Sequence, residues 1–542
     1  MLSIVAYLIL CLLAVPLALI ILLVLFPRPL LSLADKKIAQ ALDIENYNRN
    51  IAYSKPGFLP VHNELSHAEV KVEGTIPADL EGVYIRNGTN TQFENTNSRM
   101  HMFNGAGMLH QLQIKDGVAT YSNTYVRTPR FKIEDAAGDE IYSQFGDLAG
   151  GGKAALFKII VDLLKKRFKV IPALDNCENS SATTAIQYHH GKLYCLQETG
   201  YPFSLQLKNS AGRLHIDGDG EWERFGNQLD TPFTAHPKID PATGDWYTYS
   251  TDIMSGKIHY SIVSEGKLKS HDLLYEAKPA LSFLHDYFLT KNFTVFPDLS
   301  MRFDSKGLTG EHKSPFYFDA DYKMRFGVIN RNHKAGEAIR WFVTDLPGHI
   351  WHTINGWEET RADGGTDIVL YTPVFRSYPS DVPIHSPREP HAQMHVYRLN
   401  LDTGEVTEQR QLMEHFYERP SYNTAYIGQK TQYAYLLDEQ GSGGIMGKGV
   451  MKYDLLNEKE VKYFDYGDHL GGEALYVAKA NASAEDDGYL IDILMSEESS
   501  YVVIIDAASM EELAKLHLPQ RVPYGVHGCW LNQQQLDNLQ LS

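Results

Sequence analysis

Of the 22 histidines in the chain, four stand apart by their neighbours. His236 sits in "PFTAHPKIDPATGDW", His285 in "LSFLHDYFLTKNFTVF", His352 in "HIWHTINGWEE" and His527 in "PYGVHGCW". Each is flanked on at least one side by apolar or small residues, where a strand-like run meets a turn. Imidazole is the side chain with which proteins hold transition metals and exchange protons near neutral pH. A satisfied core histidine is the plainer reading of any one of them alone. His527 is the sharpest case: Gly525 and Gly528 permit a positive φ or a close approach to another chain segment, which would present the ring at a strand end.

The elements that must position these rings are read from alternation. Beyond about residue 45 the chain runs in short alternating segments that end at Asp, Asn or Gly, among them "KLYCLQETG", "DWYTYSTDI", "MHVYRLNLDTGEV", "TQYAYLLDE" and "YVVIIDAAS". This predicts an all-β protein. "VYRLNLDTGEV", "MKYDLLNEKEV" and "YVVIIDAASMEEL" each read strand, turn, strand at a spacing of roughly 50 residues, the period of a four-stranded propeller blade. "HPKIDPATGDW" carries the same turn. A β-propeller accommodates many short strands without long open edges, and its blades aim side chains at a central axis from such strand-to-turn positions. No Gly- or Ser-rich linker divides residues 46–542, which read as one domain. "KAALFKIIVDLLKKRFKVI", Lys153 to Ile171, is the helical exception. It predicts either a surface helix packed on the sheet or a second, interfacial membrane contact.

Leu2 to Phe26 carries no charge, and roughly 20 apolar residues suffice to cross a bilayer. Residues 1–27 are read as a transmembrane anchor and 28–45 as a juxtamembrane linker. A cleaved signal peptide is the rival, with "SLA" at Ser32 to Ala34 as its small-residue site; the absent basic start and the long apolar run speak against it. Arg28, Lys36 and Lys37 follow the span, which places the large body on the cytoplasmic side of a membrane. The formal net charge of −17 argues against nucleic acid as a partner. Cys11, Cys177, Cys195 and Cys529 are too few and too scattered for a disulfide framework or a CxxC zinc site.

Two further segments, "LEGVYIRNGTN" at Leu80 to Asn90 and "HMFNGAGMLH" at His101 to His110, precede the four histidine contexts in order. On these six features the chain resembles the carotenoid cleavage oxygenase family, which includes carotenoid and apocarotenoid dioxygenases, stilbene-cleaving enzymes and the isomerohydrolase of the retinal pigment epithelium. The resemblance implies a seven-bladed propeller with a helical and loop-built dome over one face, and a non-haem Fe(II) on the axis held by His236, His285, His352 and His527. Four neutral nitrogens suit an ion that keeps octahedral positions open for O2, where zinc would tend to close as a tetrahedron. His349, three residues before His352, is assigned to packing or support. The family pattern also implies three supporting glutamates: Glu198 for His285, Glu418 for His352 and Glu473 for His527, leaving His236 without one. The implied reaction is O2-dependent cleavage of a conjugated C=C bond in an apolar polyene, a carotenoid or apocarotenoid, to two carbonyl products, with no catalytic side chain beyond the metal site and with the membrane as the substrate's reservoir. Alternatives on the same iron site are a stilbene-cleaving dioxygenase, for which no clear Tyr and Lys pair is placed (Asp147 is the charged residue in "QFGDLAGG"), and a retinyl-ester isomerohydrolase. Where the family has "RNGPNP" and "FDGDGM", this chain has "RNGTNT" and "FNGAGM". Those departures bear on scaffold and substrate preference.

Overall fold

A computed structural model describes residues 17–541 apart from 19, 52, 54–55, 95–96, 149, 211, 254, 278–279, 305–306, 308, 310–313, 379–390 and 440–445. The chain is mostly β, as its alternation requires. All five quoted segments contain strands, at Lys192–Leu196, Trp246–Asp252, Gln393–Asn400, Tyr433–Asp438 and Ser500–Asp506.

The strands form antiparallel meanders in chain order. One sheet runs from Ala185–His189 to Arg213–Trp222, the next from Lys238–Ile239 to Lys267–Glu276, and a third from Phe288–Leu289 to Arg340–Val343. A seven-stranded sheet spans Asn355–Thr360 to Lys459–Asp465. Its long strand Glu405–Ser421 pairs through one part with Gln393–Asn400 and through the other with Tyr433–Asp438, with a register shift in each ladder. Leu475–Ala478 to Glu511–His517 make another sheet, completed by Lys71–Gly74 from the other end of the chain. In return the terminal strand Gly528–Asn532 pairs with Gly82–Asn90. The two ends of the chain thus each complete a sheet begun by the other.

Apolar side chains fill the gaps between successive sheets. Leu531, Val83 and Leu109 pack on Ile186 and Leu205; Tyr194 and Leu196 on Trp246 and Val263; Tyr249 and Tyr260 on Leu289 and Phe296. The series continues with Phe326 against Leu370, Val369 against Leu436, Leu437 against Leu490, and Ile491 against Leu112. The last contact returns to the sheet of the first.

The recurring turn has a physical cause. Asn400 Oδ1 accepts from Asp402 N and Thr403 N at 2.9 and 3.0 Å. Asp454 and Asp506 do the same for the residues two and three places on. These are Asx turns, so the repeat carries Asn or Asp at a fixed place. Asp240 also caps its hairpin, at 2.8 Å to Ala242 N, but there the turn joins the first and second strands of its sheet.

Residues 28–45, expected as a linker, are largely helix. Pro27–Leu42 opens with Pro at its first position and buries Leu31, Ile38 and Leu42, a stripe whose spacing keeps one face inward. It packs on Gly152–Arg167, the helical exception, through Val161 and Leu164. That helix therefore rests chiefly on another helix. The expected anchor falls largely on residues 1–16, outside the described residues; among the described residues no helix is long and apolar enough to cross a membrane. Cys177, Cys195 and Cys529 are buried free thiols.

Leu531 is fully buried where the terminal strand closes onto Gly82–Asn90. Leu531→Ala is expected to lower stability by about 2–5 kcal/mol, read as a lower midpoint in denaturant with an unchanged slope.

Candidate metal centre

The four histidines expected to act together do converge. Nε2 of His236 lies 3.0 Å from Nε2 of His285, that of His285 3.4 Å from His352, and that of His352 3.2 Å from His527. One nitrogen from each ring lies within 4.8 Å of all the others, a grouping able to hold a metal ion. The rings meet edge to face, with neighbouring centroids 4.5–5.3 Å apart.

The far nitrogens explain the orientation. His352 Nδ1 lies 2.6 Å from Glu418 Oε2, and His527 Nδ1 bonds Glu473 Oε2. His285 Nδ1 lies 2.7 Å from Glu198 Oε1, without the alignment of a full hydrogen bond. A carboxylate at Nδ1 fixes the proton there and leaves the Nε2 lone pair facing the centre. Among the described residues no carboxylate contacts the His236 ring. Burial, joined by repulsion from the neighbouring imidazoles, holds His236 and His352 well below the ordinary imidazole range. Both rings are thus neutral, as a ligand must be. At His285 burial opposes protonation, but Glu198 with Asp286 and Glu418 outweighs it and the pKa is raised.

Each ring is held by local chemistry. The "RNG" of the first motif secures the last histidine: Asn87 N donates to His527 O and Val526 N to Asn87 O, both at 3.0 Å, while Arg86 Nη2 donates to Pro523 O at 2.8 Å. The glycines beside His527 serve close approach. A Cβ on Gly525 would meet Arg86 Nε at 2.5 Å, and one on Gly528 would meet Tyr84 Cε2 at 2.9 Å. Glu418 takes Arg419 N at 2.6 Å and His352 N at 3.2 Å; Arg419, in the left-handed region at φ 41°, pairs with buried Glu439 at 2.7 Å.

Several supporting residues escaped the sequence reading. Asp286 is the most connected: it accepts from Thr353 N at 2.8 Å and Thr353 Oγ1 at 2.7 Å, and pairs with Lys238 at 2.7 Å. It thereby ties the segments carrying His236, His285 and His352. A carboxylate next to a histidine inside an apolar run was the available signal. Asn355, part of the spacing that marks His352, donates from Nδ2 to Tyr426 O, Gln429 O and Thr431 Oγ1. His349 stays outside the cluster, buried with its ring 4.2 Å from that of Trp351. Asp147 is buried and accepts from Arg99 N at 3.0 Å. Asn104, at one departure from the family motif, donates to Arg99 O and accepts from Gly146 N.

Antiparallel β-sheets that bring four imidazoles together define a mostly β protein with a group of side chains able to hold a metal ion. Residues 58–532 match the family of retinal pigment epithelial membrane protein. The chain belongs to that family, the carotenoid cleavage oxygenases. It is 32% identical over 537 residues to carotenoid 9,10(9',10')-cleavage dioxygenase 1 of Arabidopsis thaliana, covering 94% of this chain and 95% of the relative. It is 33% identical to carotenoid 9,10(9',10')-cleavage dioxygenase of Crocus sativus, covering 89% and 90%. Its fold is that of the lignostilbene dioxygenase of Pseudomonas brassicacearum, with a TM-score of 0.74 and 23% identity over 89% of this chain and 98% of that one.

Removing the Asp286 carboxylate, itself buried, leaves the largely buried Lys238 ammonium and the Thr353 donors without their partner. Asp286→Ala is expected to cost about 3–5 kcal/mol of stability, measured by chemical denaturation.

Proposed function

We propose that the protein is a non-haem Fe(II) dioxygenase that cleaves a conjugated C=C bond of a carotenoid or apocarotenoid with O2, giving two carbonyl products. The observation that carries this is the convergence of His236, His285, His352 and His527, in a chain whose relatives are named for carotenoid cleavage. The donor set fits ferrous iron: four neutral nitrogens, three with a carboxylate behind them, supply no ligand charge and leave a dication with open positions. Bound there, iron would supply O2 activation. The protein's own part is to aim the four lone pairs and to offer the polyene an apolar wall. Trp351 stands 5.3 Å from His285, ring to ring, with Phe283 and Phe316 behind it.

The closed succession of interfaces supports a seven-bladed propeller, with the seven-stranded sheet counted as two blades sharing the strand Glu405–Ser421. The helices Pro27–Leu42 and Gly152–Arg167 then belong to the dome. Phe157, Ile160 and Leu163 are exposed on the second helix, and Leu33 on the first, near the exposed Leu25 and Phe26. Such a patch beside an apolar leading segment supports residence on a membrane, where a polyene dissolves. An anchor through residues 1–27 with a cytoplasmic body is the localisation we propose.

Iron-loaded protein given a full-length carotenoid, a β-apocarotenal, resveratrol and a retinyl ester in parallel is expected to yield aldehydes or ketones from the first or second, identified by mass. Retinol from the ester alone, or cleavage of the stilbene alone, would overturn the reading. Glu473→Gln is expected to weaken iron binding about 10- to 100-fold, and His285→Ala to lose iron and turnover together. Phe157→Glu with Leu163→Glu, in protein lacking residues 1–26, is expected to abolish liposome co-sedimentation.

A further inference from the structure

A cavity of about 580 Å³ begins at the metal centre, where His236, His352, His527 and Glu473 line it. From these residues its wall follows the chain onward, through Lys238 and Ile239, Thr353, Tyr476 and Val477, and Cys529. Pro241, Thr424, Ala425, Ala478 and Asn532 line it too and are exposed. The cavity therefore runs from three of the four rings to solvent. His285 and the aromatic residues Trp351, Phe283 and Phe316 are not among its lining residues. This approach to the centre is walled by other residues than the apolar group at Trp351.

We infer that this cavity is the route by which the metal ion enters and leaves the four histidines, separate from the substrate's approach; the inference rests on the metal reading above. A hydrated dication cannot cross an apolar passage without losing solvation that nothing there replaces. A cavity this size holds on the order of twenty waters at ~30 Å³ each. Gln187, Tyr422, Asn423 and Asn532 offer polar groups along it. Lys238, the cationic side chain of this wall, would repel the ion, but it is paired with Asp286 at 2.7 Å. At the inner end the ion meets the Glu473 carboxylate and three imidazole nitrogens on one wall, so waters can be exchanged for ligands one at a time before His285 completes the set.

The test narrows the outer end without touching ligands or the residues that hold them. Full-length protein with Ala478→Trp, and separately Ala425→Trp, is loaded with Fe(II) anaerobically; uptake is followed by bound iron, and release by the colour of the complex with excess 2,2′-bipyridine. The expected result is uptake and release both roughly tenfold slower, with the same final iron content, the same thermal midpoint and the same turnover per bound iron. Gln187→Trp, deeper in the cavity, is expected to slow both further. Iron exchange at the parent rate in all three folded variants would overturn the route while leaving the metal centre intact. A parent protein that takes up no iron would overturn the metal reading itself, and the route with it.

Discussion

Four imidazole nitrogens brought within 4.8 Å of one another form an arrangement that a shared cation would stabilise. Unprotonated, their lone pairs repel; protonated, their charges do. The neighbouring Nε2 atoms stand 3.0–3.4 Å apart, and carboxylates behind three rings keep those lone pairs pointed inward. The rest of the molecule reads as the scaffold that this arrangement needs. The rings precede edge strands of different sheets, with successive rings 49, 67 and 175 residues apart along the chain. A closed succession of sheets gives each of them a place around one centre.

Closure depends on the two ends of the chain. Lys71–Gly74 completes the sheet of Glu511–His517, and Gly528–Asn532 completes that of Gly82–Asn90. Because His527 directly precedes the closing strand, the last interaction to hold the fold together also delivers the last ring. Arg86 and Asn87 sit on the partner strand and grip the residues that carry it. Structural and chemical roles coincide at this seam, so a change that loosens the closing strand loosens the centre as well.

What could be read from the chain follows from what is local. Alternation gave the strands, and the Asx turns at Asn400, Asp454 and Asp506 gave the repeat, because both are written within a few residues. The histidines could be chosen by the apolar or small residues around them, and their glutamates by resemblance. Asp286 was passed over because its partners, Lys238 and Thr353, lie 48 and 67 residues away and are joined to it only by the fold. The roles of Asn87 and Asn355 are likewise written only in space, where each sends its side-chain amide to backbone carbonyls of neighbouring segments. The glycines beside His527 were legible as permissive, but only the packing of Arg86 and Tyr84 shows that close approach is their purpose. The helix Pro27–Leu42 is not legible as a packed element because its stripe of Leu31, Ile38 and Leu42 finds its partners, Val161 and Leu164, on a helix far along the chain.

The one ring without a carboxylate makes sense in the same terms. Three glutamates against a dication held by the four rings would give the centre a single net negative charge, and the nearby Lys238–Asp286 and Arg419–Glu439 pairs add none. A fourth carboxylate behind His236 would leave two negative charges beside three buried rings, where uncompensated charge is costly. His236 is instead kept neutral by burial and by the three rings it faces, and its backbone N–H is fixed by Thr234 Oγ1 at 3.0 Å. Its place on the cavity wall, beside Lys238, supplies position without charge. The asymmetry of the support therefore follows from electrostatics: three carboxylates set three tautomers, and the fourth ring is held by packing alone.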